Sequence, residues 1–223
     1  MRGAVVIPAF NEAATIETVV AEVCLVAPEL DVIVVNDRST DNTVEVIADL
    51  DVKAINLVVN LGAWGATQTG LRYADAKGYD FVVTMDADGQ HLPSTLPALL
   101  GRFREDPEAL VIGECVTRGS RSRRIAWRYF RAITGLSVQD LTSGLRVYNK
   151  RAVQLLSTRE ATMLEYQDVG VLLLMKEHGF PIHEVSIPMQ ERAVGGSHIF
   201  RSWLSVFYYM VYTSIMSLSK LSR

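Results

Sequence analysis

The chain has 223 residues, 49% of them apolar, a formal net charge of −3 and only two cysteines. That length bounds it to one domain, or one domain with an appendage, with enough apolar residues for a sizeable core. The near-balanced charge says little until its distribution is read, while Cys24 and Cys115 lack metal-type spacing, which argues against a disulfide framework and for a reducing compartment. Met1-Arg2-Gly3 runs straight into Ala4–Ile7, so no signal peptide is expected, and no stretch before residue 200 is long enough to span a bilayer.

In chain order, Ala4–Ile7, Val32–Val35, Ile55–Val59 and Phe81–Thr84 read as strands. Their near-continuous apolarity suits strands buried on both faces of a parallel sheet. Between them, Glu12–Val26, Asp41–Leu50 and Trp64–Lys77 read as helices, with Thr40 or Ser39 as the cap of the second. This alternation means right-handed βαβ units and an open α/β sheet. Ligands bind such sheets outside the carboxyl ends of the strands. Pro8–Glu12, Asn36–Asp41, Asn60–Gly65 and Asp86–His91 all fall there, so four polar segments converge on one crevice. Farther on, Pro93–Arg104 reads as a helix, Leu110–Ile112 as a strand, Leu164–Glu177 as a helix and Ile182–Pro188 as a strand.

Asp86-Ala87-Asp88-Gly89-Gln90-His91 is the run that points to chemistry. If the strand continues, side chains at i and i+2 project the same way. Asp86 and Asp88 then reach one hard cation, with Gln90 as a neutral oxygen ligand. Such ligands suit Mg²⁺ or Mn²⁺ on nucleotide phosphates.

The same segments carry a resemblance. Ile7-Pro8-Ala9-Phe10-Asn11-Glu12 resembles the opening motif of the family 2 inverting glycosyltransferases, and Val35 through Thr43 their second motif. Asn60-Leu61-Gly62 with Gly65, Ala66 and Gly70 is similar to the third. Asp86–His91 resembles the form typical of dolichyl- and polyprenyl-phosphate sugar synthases, as do Asp140–Arg146 and Arg192–Ser197. The likeness runs from residue 4 to about residue 200. It implies a GT-A fold, a nucleotide-sugar donor (GDP- or UDP-hexose) and Mg²⁺ or Mn²⁺.

By that resemblance, Pro8, Phe10, Glu12, Asp37, Gly62, Asp86, Arg192 and Ser197 bind the nucleotide sugar. Asp86, Asp88 and Gln90 hold the metal. Asp37 either contacts the base or caps a helix. Gly62 and Gly65 permit close backbone approach. Arg192 is a fixed cation suited to the diphosphate. Phe10 stands where the family usually has Tyr, and His198 where it often has Lys after the serine.

Six arginines, 118, 121, 123, 124, 128 and 131, lie within fourteen residues with no acid among them. Unbalanced arginines suit a phosphate or an anionic lipid surface. With Trp127, Tyr129 and Phe130 beside them, residues 118–134 read as a basic interfacial helix and acceptor segment. No nucleic-acid fold signature accompanies them, so nucleic acid is not expected. The resemblance implies that Arg118, Arg124 and Ser143 bind the acceptor phosphate. Gly113-Glu114-Cys115 replaces the usual Gly-Ser-Arg, which leaves Arg118 as the nearest substitute for the missing arginine. Asp140 is either a general base, for a hydroxyl acceptor, or the organiser of the Ser143–Arg146 loop. With Asp88 and Arg192 it completes the expected catalytic set.

Residues 202–219 carry no charge, and Leu204, Phe207, Tyr208, Val211, Ile215 and Leu218 fall on one helical face. The domain is therefore read as 1–198, and 199–223 as an amphipathic helix on the membrane surface, the alternatives being packing on the domain or a homo-oligomer contact. The expected function is inverting transfer of a hexose to a polyprenyl phosphate by a peripheral enzyme on the cytoplasmic membrane face. Transfer to a sugar hydroxyl, or a catalytically silent nucleotide-sugar-binding adaptor, are the alternatives.

Overall fold

Four short apolar runs in the first half form the parallel heart of a seven-stranded sheet. In the computed structural model, which describes residues 1–115, 121–164 and 167–190 (without the side chains of 121–126, 133, 167 and 168), these are β1 (Gly3–Ala9), β2 (Leu30–Asn36), β3 (Lys53–Asn56) and β4 (Phe81–Thr84). The second half adds β5 (Leu110–Glu114), β6 (Arg146–Asn149) and β7 (Ile182–Ser186). The sheet order is β3-β2-β1-β4-β6-β5-β7. All neighbours are parallel except those of β6, which runs antiparallel between β4 and β5.

Alternation along the strands divides the core into two layers. Ala4, Val6, Ile33, Val35 and Val82 face one side, and Val5, Ile7, Val32, Val34 and Val83 the other. On the first side lie α3 (Gly62–Ala76), α5 (Arg121–Thr134), α6 (Lys150–Leu156) and α8 (Gln167–Glu177). On the second lie α1 (Ile16–Val26), α2 (Thr43–Ala48) and α4 (Leu96–Glu105), which a 3₁₀ turn at Pro93–Thr95 leads into. A four-residue helix, α7 (Arg159–Thr162), follows α6. Gly70 lets α3 lie close on the sheet, since a Cβ there would come within 2.3 Å of Val6 Cγ1.

Several expectations shift. β3 ends at Asn56 rather than Val59 because β2 ends at Asn36, and the amide of Leu57 makes the last bond across to the Asn36 carbonyl. Val58 is consequently loop and 87% exposed. Helix α2 starts at Thr43, preceded by Asn42, and neither Thr40 nor Ser39 caps it. Instead the Asp41 carboxylate takes the Thr43 amide, while Ser39 and Thr40 bond to Asn11. Helix α1 starts at Ile16, because Glu12–Thr15 is a turn closed on the Glu12 carbonyl. Strand β6 and helices α6 and α7 went unread, since β6 is four residues long and opens on an arginine.

The aromatic side of the basic stretch is also corrected. Trp127 and Phe130 are buried in the core and only Tyr129 is exposed among the three. These two side chains of α5 thus pack on its own domain, which removes their apolar area from water. Lys176 on α8 donates to the carbonyls of Thr134 and Gly135 and ties down its C-terminal end. Arg118, the side chain of Arg124, Arg192, Ser197 and the tail 199–223 lie outside the described residues. Among those described, no helix is long and apolar enough to cross a membrane.

Candidate active site

The carboxyl ends of β1, β2 and β4 carry three loops that interlock by hydrogen bonds. Asn11 and Arg38 are the only non-glycine residues with positive φ among those described, at 57° and 58°, and both lie in these loops. Such backbone is held only where its surroundings over-determine it. Here the Asn11 amide donates to Ser39 Oγ, the Thr40 amide to Asn11 Oδ1 and the Glu12 amide to Thr43 Oγ1. The β1 and β2 loops are therefore one rigid unit. Pro8 belongs to β1 itself, beyond the part that pairs with β4, where a missing N–H costs no bond on that side. Phe10 is 38% exposed at the rim.

Asp37, at the end of β2, is 3% exposed. Its Oδ1 accepts the Leu61 amide at 2.6 Å and so holds the residue that precedes α3. The helix that Asp37 supports is therefore α3, not the adjacent α2. Burial raises its pKa above the ordinary carboxylate value, partly offset by the Leu61 and Gly62 amides. Gly62 is needed for its positive φ of 76° rather than for close approach, since a Cβ there would meet nothing within 4 Å. Gly65 is the tight position, since a Cβ there would lie 2.5 Å from Leu61 Cβ.

Asp86 and Asp88 follow β4 but not as an extended pair. The strand stops at Thr84, and Ala87-Asp88 form a turn closed by the Gln90 amide on Asp88 Oδ1 at 3.0 Å. Gly89 has a φ of 72°. Both aspartates stay half-exposed, and Ala87 between them is buried. Thr15, which sequence reading passed over, ties this turn to the β1 loop: its hydroxyl lies 2.8 Å from the Ala87 carbonyl and 3.2 Å from Glu12 Oε2. A lone threonine ahead of a helix signals a cap, and nothing in the sequence distinguishes that from this bridge.

The antiparallel β6 delivers the Asp140–Leu145 loop to the same place. Thr84 Oγ1 donates to the Gly144 carbonyl at 2.7 Å, and a Cβ on Gly144 would lie 2.6 Å from both Asp86 carboxylate oxygens. Asp140 is fully buried. It accepts the Cys115 amide and both the amide and the hydroxyl of Thr142. Those contacts tie the start of the loop to the end of β5. Ser143 is buried too, its Oγ taking the Leu145 amide. Glu184 on β7, also passed over, accepts the amides of Gln139 and Asp140, and burial raises its pKa. It sits in an ordinary alternating strand, which gives no signal.

Asp86 and Asp88 are oxygen donors of the kind that a divalent cation takes. No cluster of three His, Cys, Asp or Glu side chains occurs among the described residues. Two half-exposed carboxylates without a third match how Mg²⁺ binds in nucleotide sites, where phosphates and water complete the shell. The glycine at 144 lets the loop backbone pack directly against the Asp86 carboxylate.

The sheet order and the acidic loops at its carboxyl ends are those of a GT-A glycosyltransferase. The glycosyl transferase family 2 model matches residues 4–161, and the chain belongs to that family. It is 34% identical to an undecaprenyl-phosphate mannosyltransferase of Micrococcus luteus, over 88% of this chain and 87% of that one. A polyprenol monophosphomannose synthase of Mycolicibacterium smegmatis is 28% identical, over 88% and 80% of the two chains. A UDP-N-acetylglucosamine–dolichyl-phosphate N-acetylglucosaminyltransferase of Methanococcus voltae is 30% identical, over 82% and 83%. Glucosyl-3-phosphoglycerate synthase of Mycobacterium tuberculosis, solved in complex with Mn²⁺, UDP and phosphoglyceric acid, superposes with a TM-score of 0.72 at 22% identity, over 97% of this chain and 76% of that one, which shows the shared fold.

Proposed function

We propose that the protein transfers a hexose from a nucleoside-diphosphate sugar to a polyprenyl phosphate, with inversion, at the cytoplasmic membrane surface. The observation that carries this is the likeness, along nearly the whole of both chains, to the undecaprenyl-phosphate mannosyltransferase. Asp37, whose Oδ1 holds the Leu61 amide, is the acceptor this reading assigns to an N–H of the base edge. Uracil and guanine both offer one, so GDP- and UDP-hexoses are both candidate donors. In this reading Pro8, Phe10, Glu12 and Gly62 also contact the nucleotide sugar. Asp86, Asp88 and Gln90 hold Mg²⁺ or Mn²⁺. When bound, the ion offsets the charge that builds on the departing diphosphate. Arg192 adds a fixed cation for that charge, and Ser197 assists.

A phosphate oxygen of the acceptor attacks the anomeric carbon opposite the leaving group, which inverts the centre. The acceptor is largely ionised near neutrality, since second phosphate pKa values are about 6. It needs positioning more than a base. The burial of Asp140 supports this reading over transfer to a sugar hydroxyl. Arg118 and Arg124 supply the cations for the acceptor phosphate. Ser143 reaches it only if the loop opens, because its hydroxyl is buried.

The test is transfer of labelled sugar into an organic-soluble product by the purified protein, with GDP- and UDP-hexoses, polyprenyl phosphate and Mg²⁺ or Mn²⁺. Excess chelator, and Asp88→Ala, abolish product while the fold persists. Full activity in chelator overturns the metal assignment. Transfer to free sugars but not to the lipid overturns the acceptor.

A further inference from the structure

Four buried side-chain atoms among the described residues have no hydrogen-bond partner, and two of them are the ring nitrogens of His91. That ring is wholly buried. A packing role would be served by an apolar side chain, without the cost of stripping two polar atoms of water. The ring nevertheless points at one group: Nε2 lies 3.4 Å from Asp86 Oδ2. The backbone holds it there. His91 forms an antiparallel bridge with Met189, and the Gln190 amide donates to the Gln90 carbonyl at 3.0 Å. Asp86 thus has His91 on one side and the bare Cα of Gly144 on another.

We propose that His91 is a positioning residue for Asp86. Its Nε2–H tautomer donates to Oδ2, fixes the carboxylate's rotamer and leaves the solvent-facing side of the carboxylate to the cation. The separation of 3.4 Å is a few tenths of an ångström beyond hydrogen-bond range. Contacts of this kind tighten when the site is filled. Ligating carboxylates are held by such outer contacts, and losing one costs about 10- to 100-fold in metal affinity. The inference rests on the assignment of Asp86, Asp88 and Gln90 to a divalent cation.

The experiment compares His91→Leu, which keeps the volume but removes the donor, with His91→Gln, which keeps an N–H donor. Free Mn²⁺ is counted by electron paramagnetic resonance while Mn²⁺ is titrated into each protein with UDP and, separately, with GDP. Thermal melting without metal is recorded alongside. The Leu variant should bind Mn²⁺ about 10- to 100-fold more weakly than wild type. The Gln variant should recover most of the loss even though it buries a polar amide and melts no higher than the Leu variant without metal. Equal affinities for Leu and wild type, or equal losses for Leu and Gln, overturn the role of His91. Wild type that takes up no Mn²⁺ with either nucleotide overturns the cation site itself, and the inference with it. A measurement on wild type needs no variant to fold. With ¹⁵N-labelled histidine, adding Mg²⁺ with UDP or GDP to a protein that binds them should move the His91 Nε2 resonance, and an unmoved resonance overturns the proposal.

Discussion

Asp86 and Gly144 face each other across the ends of β4 and β6. Thr84 pairs with Arg146 in the antiparallel ladder, so two residues onward on one strand and two back on the other bring 86 opposite 144. The gap admits no side chain, because a methyl group on residue 144 would stand 2.6 Å from both oxygens of Asp86. Gly144→Ala should therefore displace the carboxylate. We expect a loss of at least about tenfold in Mn²⁺ affinity and a stability cost of about 1–3 kcal/mol, as for other overpacked sites. Mn²⁺ titration with UDP or GDP and urea unfolding measure the two separately. Unchanged metal affinity would show that the carboxylate does not hold the ion from this position.

Asp37 carries two duties that mutation can separate. Asp37→Ala removes the acceptor for the Leu61 amide and should cost about 1 kcal/mol, as loss of a helix cap does, while nucleotide affinity falls. Asp37→Asn keeps an acceptor oxygen for that amide, so stability should largely return. The carboxylate's charge for the base edge stays lost, so nucleotide affinity stays low. Calorimetric titration of GDP and UDP, with melting of each variant, checks both effects.

The amino ends of β1 and β2 set an alkaline limit on stability. The Tyr79 hydroxyl donates to Asp31 Oδ2 at 2.7 Å, and Arg2 reaches both. Burial, reinforced by the Asp31 carboxylate, pushes the Tyr79 pKa up to about 12. The folded state thus keeps a proton that the unfolded chain gives up near pH 10. The stabilisation is complete below about pH 10 and is lost as pH rises towards 12. Urea midpoints across that range should fall more steeply for wild type than for Tyr79→Phe. Parallel curves would remove Tyr79 from the alkaline limit.

Membrane attachment should divide into ionic and apolar parts. Trp127 and Phe130 are buried, so the ionic part is expected to come from the arginines of the basic stretch. Basic residues near an anionic surface contribute about 1 kcal/mol each. Arg128→Glu should weaken flotation with anionic vesicles at low salt and change little at high salt. Deleting residues 199–223 should remove the salt-resistant share and reduce turnover on long-chain acceptors more than on short ones. Full flotation of the deleted protein at high salt would refute a role for the tail.

Sequence by itself determined the parallel half of the sheet, the polar loops at its carboxyl ends and the acidic run after β4. These features are local: apolar runs, turn residues and their spacing follow from neighbours along the chain. The tertiary structure alone decided what surrounds the carboxylates. Strand β6 joins partners more than thirty residues away, and only that pairing brings Gly144 to Asp86, buries Asp140 and sets Glu184 beneath the loop. The burial of Trp127 and Phe130 was equally illegible, because an amphipathic helix has the same pattern whether its apolar face meets a bilayer or a protein core. Which surface covers that face depends on contacts between distant segments, and composition and periodicity carry no record of them.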